Sequence, residues 1–240
     1  MRTFVIIPAY NAAGTLGPVF RRVPSDAYGK IERFIVVNDG SADGTGEVVR
    51  RLAASDPKIV LIEHPSNRGY AQAQKTGFNE ALAAGAEIMA LLHADGQYAP
   101  ELLPALVRPI EEGQADVVQG SRMLNPRAAL KGGMPLYKFL ANRALSTIEN
   151  WVYGMKLAEY HSGYMIYSAR ALRTIPFMRL SDTFHFDGEM LLMAHKKGLR
   201  IVEVPIPTHY GDEKSYLNPI KYGADVLTIM FKYLIGKYEL

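Results

Sequence analysis

The chain of 240 residues contains no cysteine, so it cannot form disulfide bonds, as is usual for proteins of a reducing compartment. It also lacks any run of the roughly 18 apolar residues that a membrane-spanning helix requires. The first apolar segment begins at Thr3 without the pattern of a signal peptide. We therefore expect a cytoplasmic location, peripheral to a membrane if the chain binds one.

Acidic residues are missing from one long interval, between Asp116 and Glu149. Five of the 27 basic side chains of the protein fall in this interval: Arg122, Arg127, Lys131, Lys138 and Arg143. The remaining 22 basic residues are outnumbered by 24 acidic ones, so the positive excess is local. A net charge of +3 is too small to indicate a nucleic-acid partner, whereas a local cluster suits a smaller anionic group.

Short apolar runs alternate with helical segments through the first half of the chain. The predicted strands are 4–7, 34–37, 59–62, 88–92 and 117–118, and the predicted helices are 15–23, 43–54, 69–84 and 100–112. This alternation is typical of a single-domain α/β fold with a doubly wound, mostly parallel sheet and flanking helices. Beyond Gly120 the pattern predicts a loop at 122–133, a helix at 135–153, a strand at 164–167, a helix at 186–197, an edge strand at 200–205 and a last helix from Leu217 to Leu234.

The most informative strand end follows the apolar run 88–92 and reads His93-Ala94-Asp95-Gly96-Gln97. Ligands of open α/β sheets bind beyond the carboxyl ends of the strands. Side chains of an extended segment alternate in direction, so His93, Asp95 and Gln97 can point the same way. A carboxylate and an amide oxygen there could hold a hard divalent cation beside a diphosphate. The alternative is a strand that simply ends in a solvated aspartate.

Two further strand ends carry polar residues, 8–11 after the first strand and 38–45 after the second. On their own, Asp39 and Asp43 could be turn and cap residues. Taken with the segment 93–97, however, the three strand ends resemble those of family 2 glycosyltransferases with the glycosyltransferase A fold. Within that family, the chain is most similar to the dolichol- and polyprenyl-phosphate mannosyl- and glucosyltransferases.

The resemblance implies a site whose residues have separate tasks. The nucleotide would be bound by Pro8, Ala9, Tyr10, Asn11, Asp39, Asn67, Arg68, Gly69, His93 and Ala94. The metal, Mn²⁺ or Mg²⁺, would be held by Asp95 and Gln97, with His93 as a further ligand. Arg122 and Lys138 match the region that binds the acceptor phosphate, and the segment His161-Ser162-Gly163-Tyr164 matches one that usually reads Thr-Ser-Gly-Phe.

Two departures from the family pattern bear on the metal and the base. His93 occupies the position of the first metal-motif aspartate, which removes one negative charge and favours Mn²⁺ over Mg²⁺ if the imidazole is a ligand. His93 could instead contact the ribose or a phosphate. Ala12 stands where the family usually has glutamate, so one contact to the base or ribose is missing.

The expected function is an inverting hexosyltransferase that moves a sugar from GDP-mannose, UDP-glucose or a similar donor to a polyprenyl or dolichyl phosphate, such as a dolichyl-phosphate β-mannosyltransferase. Its catalytic residues would be Asp95, Arg122, Lys138 and Asp187. A sugar hydroxyl is the alternative acceptor, and Asp187 would then serve as the base. Two rivals remain, a sugar nucleotidylyltransferase and a non-catalytic nucleotide-sugar-binding module.

We expect residues 1–215 to form the catalytic domain, with a nucleotide-sugar half at 1–120 and an acceptor half at 121–215. Residues 216–240 would form a C-terminal amphipathic helix that lies in a membrane interface, packs on the sheet or contacts a second subunit. Neither homo-oligomer formation nor the identity of the hexose follows from the sequence. His185, His195 and His209 are interpreted as surface or packing residues.

Overall fold

The protein is described by a computed structural model that covers residues 1–208 and 219–238. The predicted helix start at Leu217, the predicted boundary between 215 and 216, and His209 lie outside these residues. Side-chain contacts in the last helix are described from Lys221 onward.

One seven-stranded sheet forms the centre of the molecule. Its strands are β1 (Thr3–Ala9), β2 (Ile31–Asn38), β3 (Ile59–Glu63), β4 (Ile88–Leu91), β5 (Val117–Ser121), β6 (Met165–Ser168) and β7 (Ile201–Pro205). Their order across the sheet is β3-β2-β1-β4-β6-β5-β7. All neighbours are parallel except β6, which runs antiparallel to both β4 and β5. The predicted mostly parallel, doubly wound sheet is confirmed, and β7 is an edge strand as expected.

Helices cover both faces of this sheet. They are α1 (Leu16–Arg22), α2 (Ser25–Lys30), α3 (Thr45–Ser55), α4 (Tyr70–Ala83), α5 (Leu103–Glu111), α6 (Pro126–Lys131), α7 (Leu136–Tyr153), α8 (Ala169–Thr174), α9 (Phe186–Lys196) and α10 (Pro219–Leu234). The prediction of a continuous loop at 122–133 is wrong, because α6 lies within it. Asn125 caps this helix by accepting a hydrogen bond from the Ala128 N–H, and Pro126 suits its first turn.

The core has two layers because the central strands are buried on both faces. In β1, Phe4 and Ile6 pack into one hydrophobic cluster, whereas Val5 and Ile7 pack into the cluster on the opposite side. All four side chains are fully buried. Such two-sided burial explains why the strand reads as a continuous apolar run rather than an alternating one.

The sequence predicted that the first strand ends before Pro8. In the structure, β1 continues through Pro8 to Ala9. Pairing of β1 with β4 stops at Ile6, opposite Leu91, whereas its pairing with β2 continues to Ala9. Pro8 therefore borders only one strand, where a missing N–H is tolerated. The parallel register brings the carboxyl ends of β1, β2 and β4 to the same edge of the sheet, which is where the polar strand ends meet.

Candidate active site

A cavity of about 1110 Å³ opens at this edge of the sheet. Of the residues predicted for the site, all line it except Arg68: Pro8, Ala9, Tyr10, Asn11, Asp39, Asn67, Gly69, His93, Ala94, Asp95, Gln97, Arg122, Lys138 and Asp187. The Arg68 side chain is exposed and donates to Gln72. The cavity therefore joins the predicted nucleotide-binding and acceptor-binding groups in one space.

The loops after β1 and β2 are held together by side chains that bond to backbone. Ser41 accepts a hydrogen bond from the Asn11 N–H at 2.9 Å, and the Asn11 side chain accepts one from Ala42 at 3.1 Å. Asn11 has a positive φ of 50°, a conformation that asparagine tolerates better than most residues. The two strand ends thus form one rigid wall of the cavity.

Asp39 is buried and organises the segment that precedes α4. Its carboxylate accepts hydrogen bonds from His64 Nδ1 at 2.7 Å, from the Arg68 N–H at 2.9 Å and from the Gly69 N–H at 2.8 Å. Gly69 has a φ of +94°, which side chains of L-residues rarely permit. Three of the roughly four lone-pair positions of the carboxylate are thus occupied within the protein, which leaves one for a base N–H.

His93 lines the cavity between the rings of Tyr70 and Tyr98. Its Nε2 is 3.1 Å from the Gly163 carbonyl oxygen, which can only accept, so Nε2 carries the hydrogen. The other ring nitrogen, Nδ1, then has a lone pair that can bind a cation. Burial lowers the pKa of His93, which favours this neutral form. The ring also contacts Tyr98 edge-on, with centroids 4.7 Å apart.

Gly163 fits against His93 only because it has no side chain. A Cβ atom there would lie 2.7 Å from the Tyr70 hydroxyl and 2.8 Å from Cε1 of His93. The Gly163 N–H also donates to the Tyr98 hydroxyl at 2.9 Å. The glycine of the segment 161–164 is therefore required by close packing around His93.

Asp95 and Gln97 lie at the mouth of the cavity with exposed side chains. Oδ1 of Asp95 accepts a hydrogen bond from the Gln97 N–H at 3.0 Å, which fixes the turn. A carboxylate, an amide and an imidazole thus border one cavity. This mixed oxygen and nitrogen set suits Mn²⁺ better than Mg²⁺.

Asp187, at the start of α9, is buried in the cavity wall rather than solvated. It accepts hydrogen bonds from the Tyr70 hydroxyl at 2.8 Å and from the Gln74 side chain at 3.3 Å. Burial raises the pKa of Asp187 to about 7, against its ordinary value of 3.8. Asp187 can therefore carry a proton near neutral pH, and Tyr70 lies between it and His93, 3.1 Å from Nε2.

Arg122 has an acidic partner that its sequence neighbourhood did not reveal. Glu159, which is fully buried, pairs with the guanidinium and accepts the Arg122 N–H at 2.9 Å. Burial alone would raise the pKa of Glu159, but Arg122 outweighs this effect and holds the pKa below its usual value. The interval without acids in sequence is thus not free of acids in space, and Arg122 is held rigidly against the cavity. Lys138, on α7, lines the same wall.

The aromatic side chains that shape the cavity were not predicted from the sequence. Tyr70, Tyr98, Phe184 and Tyr222 all line it. Tyr70 stacks on Phe184 with ring centroids 5.6 Å apart, and Tyr98 packs on Tyr164 at 5.2 Å. With 14 tyrosines in the chain, only their proximity to the motifs at 69 and 97 could have singled out the first two.

A second polar cluster borders the cavity next to Tyr222. It contains Glu149 of α7, His161 and His185, and its three ligand-type atoms all lie within 4.8 Å of one another. The interpretation of His185 as a scattered surface or packing residue missed this cluster, because its partners are far away in sequence. His195, by contrast, is exposed as expected.

Comparison with solved structures identifies the fold class. The crystal structure of glucosyl-3-phosphoglycerate synthase from Mycobacterium tuberculosis superimposes with a TM-score of 0.68 at 17% identity, over 98% of this chain and 80% of that one. The same enzyme has been solved with Mn²⁺, UDP and phosphoglyceric acid (TM-score 0.66, 16% identity, 98% and 78% covered). The protein thus has the glycosyltransferase A fold.

The family follows from the sequence. Residues 4–175 match the model of glycosyl transferase family 2, and the chain belongs to that family. It is 32% identical over 219 residues to UDP-N-acetylglucosamine--dolichyl-phosphate N-acetylglucosaminyltransferase of Methanococcus voltae, covering 86% of this chain and 85% of the relative. It is 31% identical over 207 residues to polyprenol monophosphomannose synthase of Mycolicibacterium smegmatis, covering 85% and 76%.

Proposed function

We propose that this family 2 glycosyltransferase is an inverting enzyme that transfers a hexose from a nucleotide diphosphate sugar to a polyprenyl phosphate. One observation carries the proposal: Arg122 and Lys138 line the same cavity as Asp39 and Asp95, although they come from different halves of the chain. Cations on one side suit a phosphate acceptor, and the strand ends on the other suit a nucleotide.

On the donor side, Asp39 offers its remaining acceptor position to a ring N–H of uracil or guanine, beside Tyr10 and the wall formed by Asn11. A divalent cation held by Asp95 and Gln97, with Nδ1 of His93 as a further ligand, would neutralise charge that grows on the departing diphosphate. Asp95 fixes the turn for this task through its bond to the Gln97 N–H.

In the transfer step, an oxygen of the acceptor phosphate forms a bond to the anomeric carbon, and the bond from that carbon to the diphosphate breaks. The electron pair of the broken bond leaves with the diphosphate, and attack from the opposite face inverts the configuration. A phosphate oxygen is already an anion, so this step requires no base. Arg122, oriented by Glu159, and Lys138 would position the acceptor.

The activities named for the relatives agree on the class of acceptor but differ in the sugar that is transferred. The relatives described above act on dolichyl phosphate or make a polyprenol phosphate sugar, and their names give N-acetylglucosamine and mannose as the sugars. Another relative is named a dolichyl-phosphate β-glucosyltransferase. We therefore propose a donor of the UDP- or GDP-hexose type and a polyprenyl phosphate acceptor.

A lipid acceptor requires access to a membrane, and two helices present apolar surface for it. In the described part of the chain, no helix combines the length and the hydrophobicity needed to cross a bilayer. The exposed apolar side chains of α7 and α10 are Leu136, Tyr137, Leu140, Ile148 and Trp151, and Leu227, Phe231 and Leu234. We name these side chains the apolar face of α7 and α10, and we propose that it rests in a bilayer interface.

The test is a transfer assay with the full chain. Each of UDP-glucose, UDP-N-acetylglucosamine and GDP-mannose is offered with a short polyprenyl phosphate, with the matching alcohol or with free sugars. We expect product from the phosphate only, with inverted anomeric configuration by NMR. Lys138→Ala should raise the acceptor KM at least tenfold, while Lys131→Ala, an exposed lysine outside the cavity, should not.

The result that would overturn the proposal is equal transfer to the alcohol or to a sugar. In that case the acceptor is a hydroxyl that must lose a proton, and Asp187, with its pKa raised to about 7, is positioned to accept it. Asp187→Asn would then lower kcat by about 10²–10⁴-fold, whereas with a phosphate acceptor it should leave most of kcat intact. Release of nucleoside diphosphate without any acceptor product would point to a binding module with residual hydrolysis.

A further inference from the structure

A buried group of hydrogen-bond acceptors lies outside the donor site. Glu149 is fully buried in α7, and within the described residues neither of its carboxylate oxygens has a hydrogen-bond partner. A buried carboxylate without hydrogen bonds is costly, and such groups in proteins are usually paired or coordinate a metal. Two histidines, His161 and His185, lie within 4.0 Å of this carboxylate.

Two histidines direct the same ring nitrogen at Glu149. Nε2 of His161 lies 3.2 Å from Oε2 without forming a hydrogen bond, and Nε2 of His185 lies 4.0 Å from Oε1. A tetrahedral ion with ligand bonds of about 2.1 Å places its ligand atoms about 3.4 Å apart. The pair formed by His161 and Glu149 already has this spacing, and His185 needs only a small shift.

Tyr222 of α10 supports both imidazoles from behind. Its hydroxyl oxygen lies 2.8 Å from Nδ1 of His161 and 3.4 Å from Nδ1 of His185. A phenol oxygen can accept from two donors, and when both Nδ1 atoms carry the hydrogen, both Nε2 atoms keep a lone pair directed at Glu149. Metal-binding histidines generally donate their second ring N–H to a carboxylate, a backbone carbonyl or a water, and here the Tyr222 hydroxyl takes that place.

His185 is fixed in this orientation by the backbone of α9. A Cβ atom on Gly188 would lie 2.3 Å from Cε1 of His185, so the ring rests directly on the glycine. His185 is also almost completely buried. The imidazole therefore has little freedom to turn away from Glu149.

From this geometry we infer that Glu149, His161 and His185 bind a transition-metal ion of the Zn²⁺ type, distinct from the donor-site cation. Two imidazoles and one carboxylate form a known zinc donor set, whereas Mg²⁺ and Ca²⁺ prefer oxygen ligands. His161 and Tyr222 border the cavity, which gives the ion a path of entry. The ion would join α7, α9 and α10, with Tyr222 as the link to α10.

The test uses Co²⁺ as an optical substitute for Zn²⁺. The full chain, stripped of metal by a chelator, is titrated with Co²⁺ in the absence of nucleotide. We expect one equivalent to bind with the visible bands of a four- or five-coordinate ion, and Zn²⁺ to displace it. Glu149→Gln and His185→Gln should abolish the bands. Asp95→Asn, at the donor site, and His195→Gln, an exposed histidine, should leave them unchanged.

A second measurement guards against variants that fail to fold. Tyr222→Phe keeps the ring but removes the supporting oxygen, so the bands should remain while affinity falls by about 10–100-fold. Zn²⁺ should also raise the Tm of the wild-type protein but not that of Glu149→Gln. Absence of bands in the wild type, bands that persist in Glu149→Gln, or bands lost in Asp95→Asn would overturn the inference. If circular dichroism shows that Glu149→Gln does not fold, then an unchanged affinity of Tyr222→Phe for Co²⁺ overturns the inference instead.

Discussion

The chemistry proposed for the donor site depends on a single carboxylate side chain, Asp95, because the neighbouring position holds His93. Asp95→Asn preserves the shape of the side chain but removes the charge that would offset a cation. We expect kcat to fall by about 10²–10³-fold, as for the loss of one group that stabilises a transition state. Mn²⁺ should support a higher rate than Mg²⁺, and His93→Asp should narrow that difference.

Initial rates across a series of metals, with UDP binding measured by calorimetry in parallel, check this expectation. Asp26→Asn, which removes an exposed negative charge away from the cavity, is the control for a simple change of charge. Full activity of Asp95→Asn, or of the wild type in EDTA, would remove the metal assignment.

The raised pKa of Asp187 leads to a second prediction, on how the free energy of unfolding depends on pH. Its pKa is raised to about 7 in the fold, against 3.8 ordinarily, because its carboxyl is buried. Between these values the folded protein keeps a proton that the unfolded chain releases, so this group lowers stability as pH rises from about 4 to about 7. Above about pH 7 its effect is constant. A difference of about three pKa units corresponds to at most about 4 kcal/mol.

Urea unfolding of the wild type and Asp187→Asn, at about pH 5 and about pH 8, measures this effect. The free energy of unfolding of the variant, relative to that of the wild type, should be higher at the upper pH. Asp26→Asn, which changes an exposed carboxylate, should show no such trend. A relative stability that is the same at both pH values would show that Asp187 ionises normally in the fold.

At the level of elements, α7 and α10 each have two apolar sides. Val226, Ile229 and Met230 of α10 pack into the core, whereas Leu227 and Phe231 are exposed. The sequence left membrane contact, packing on the sheet and contact with a second subunit as alternatives. In the structure α10 packs on α7, and this contact leaves part of its apolar surface exposed. Lys232 and Lys237 flank the exposed side, as expected for contact with anionic headgroups.

The single tryptophan of the chain, Trp151, allows a direct test of this surface. It lies on α7 with 81% of its surface exposed. We expect vesicles that contain anionic lipid to shift its fluorescence to shorter wavelength and to sediment the protein. The double variant Leu140→Ala with Phe231→Ala should lower the partition coefficient at least about tenfold, because each change removes roughly 1.5–3 kcal/mol of apolar burial.

Met178→Ala serves as the matched control, because Met178 is an exposed apolar residue outside the apolar face of α7 and α10. Its partition coefficient should equal that of the wild type. An unshifted fluorescence spectrum with anionic vesicles, or equal loss of binding in Met178→Ala, would contradict a specific membrane surface.

The shortest helices could not be predicted from the sequence. The long elements follow from apolar runs and helical periodicity, and they appear where expected. The helices α2, α6 and α8 have six residues each, too few for a periodic pattern to emerge. In α6, the proline and glycine residues at 126 and 132 looked like loop breakers, but they mark the two ends of the helix.

At the scale of the whole molecule, local motifs predicted the cavity residues that follow β2 and β4 better than those beyond β5. Asp39 and Asp95 follow apolar strands directly, so their place at the sheet edge could be read along the chain. Arg122 and Glu159, or Glu149 and His185, meet only because β6 and α7 bring distant segments together. Composition and periodicity describe neighbours along the chain, so they carry no information about such distant pairs.

The position of β6 has a consequence for the order in which the protein can assemble. During synthesis β1 to β4 emerge first, and each can pair with a strand already made. β5 emerges next but cannot join the sheet, because β6, made much later, must lie between β4 and β5. Until then the nascent sheet has an open edge at β4, a liability for pairing with other chains. Insertion of β6 is therefore a non-local step that synthesis delays until Ser168 has emerged, and β5 and β7 can join the sheet only after it.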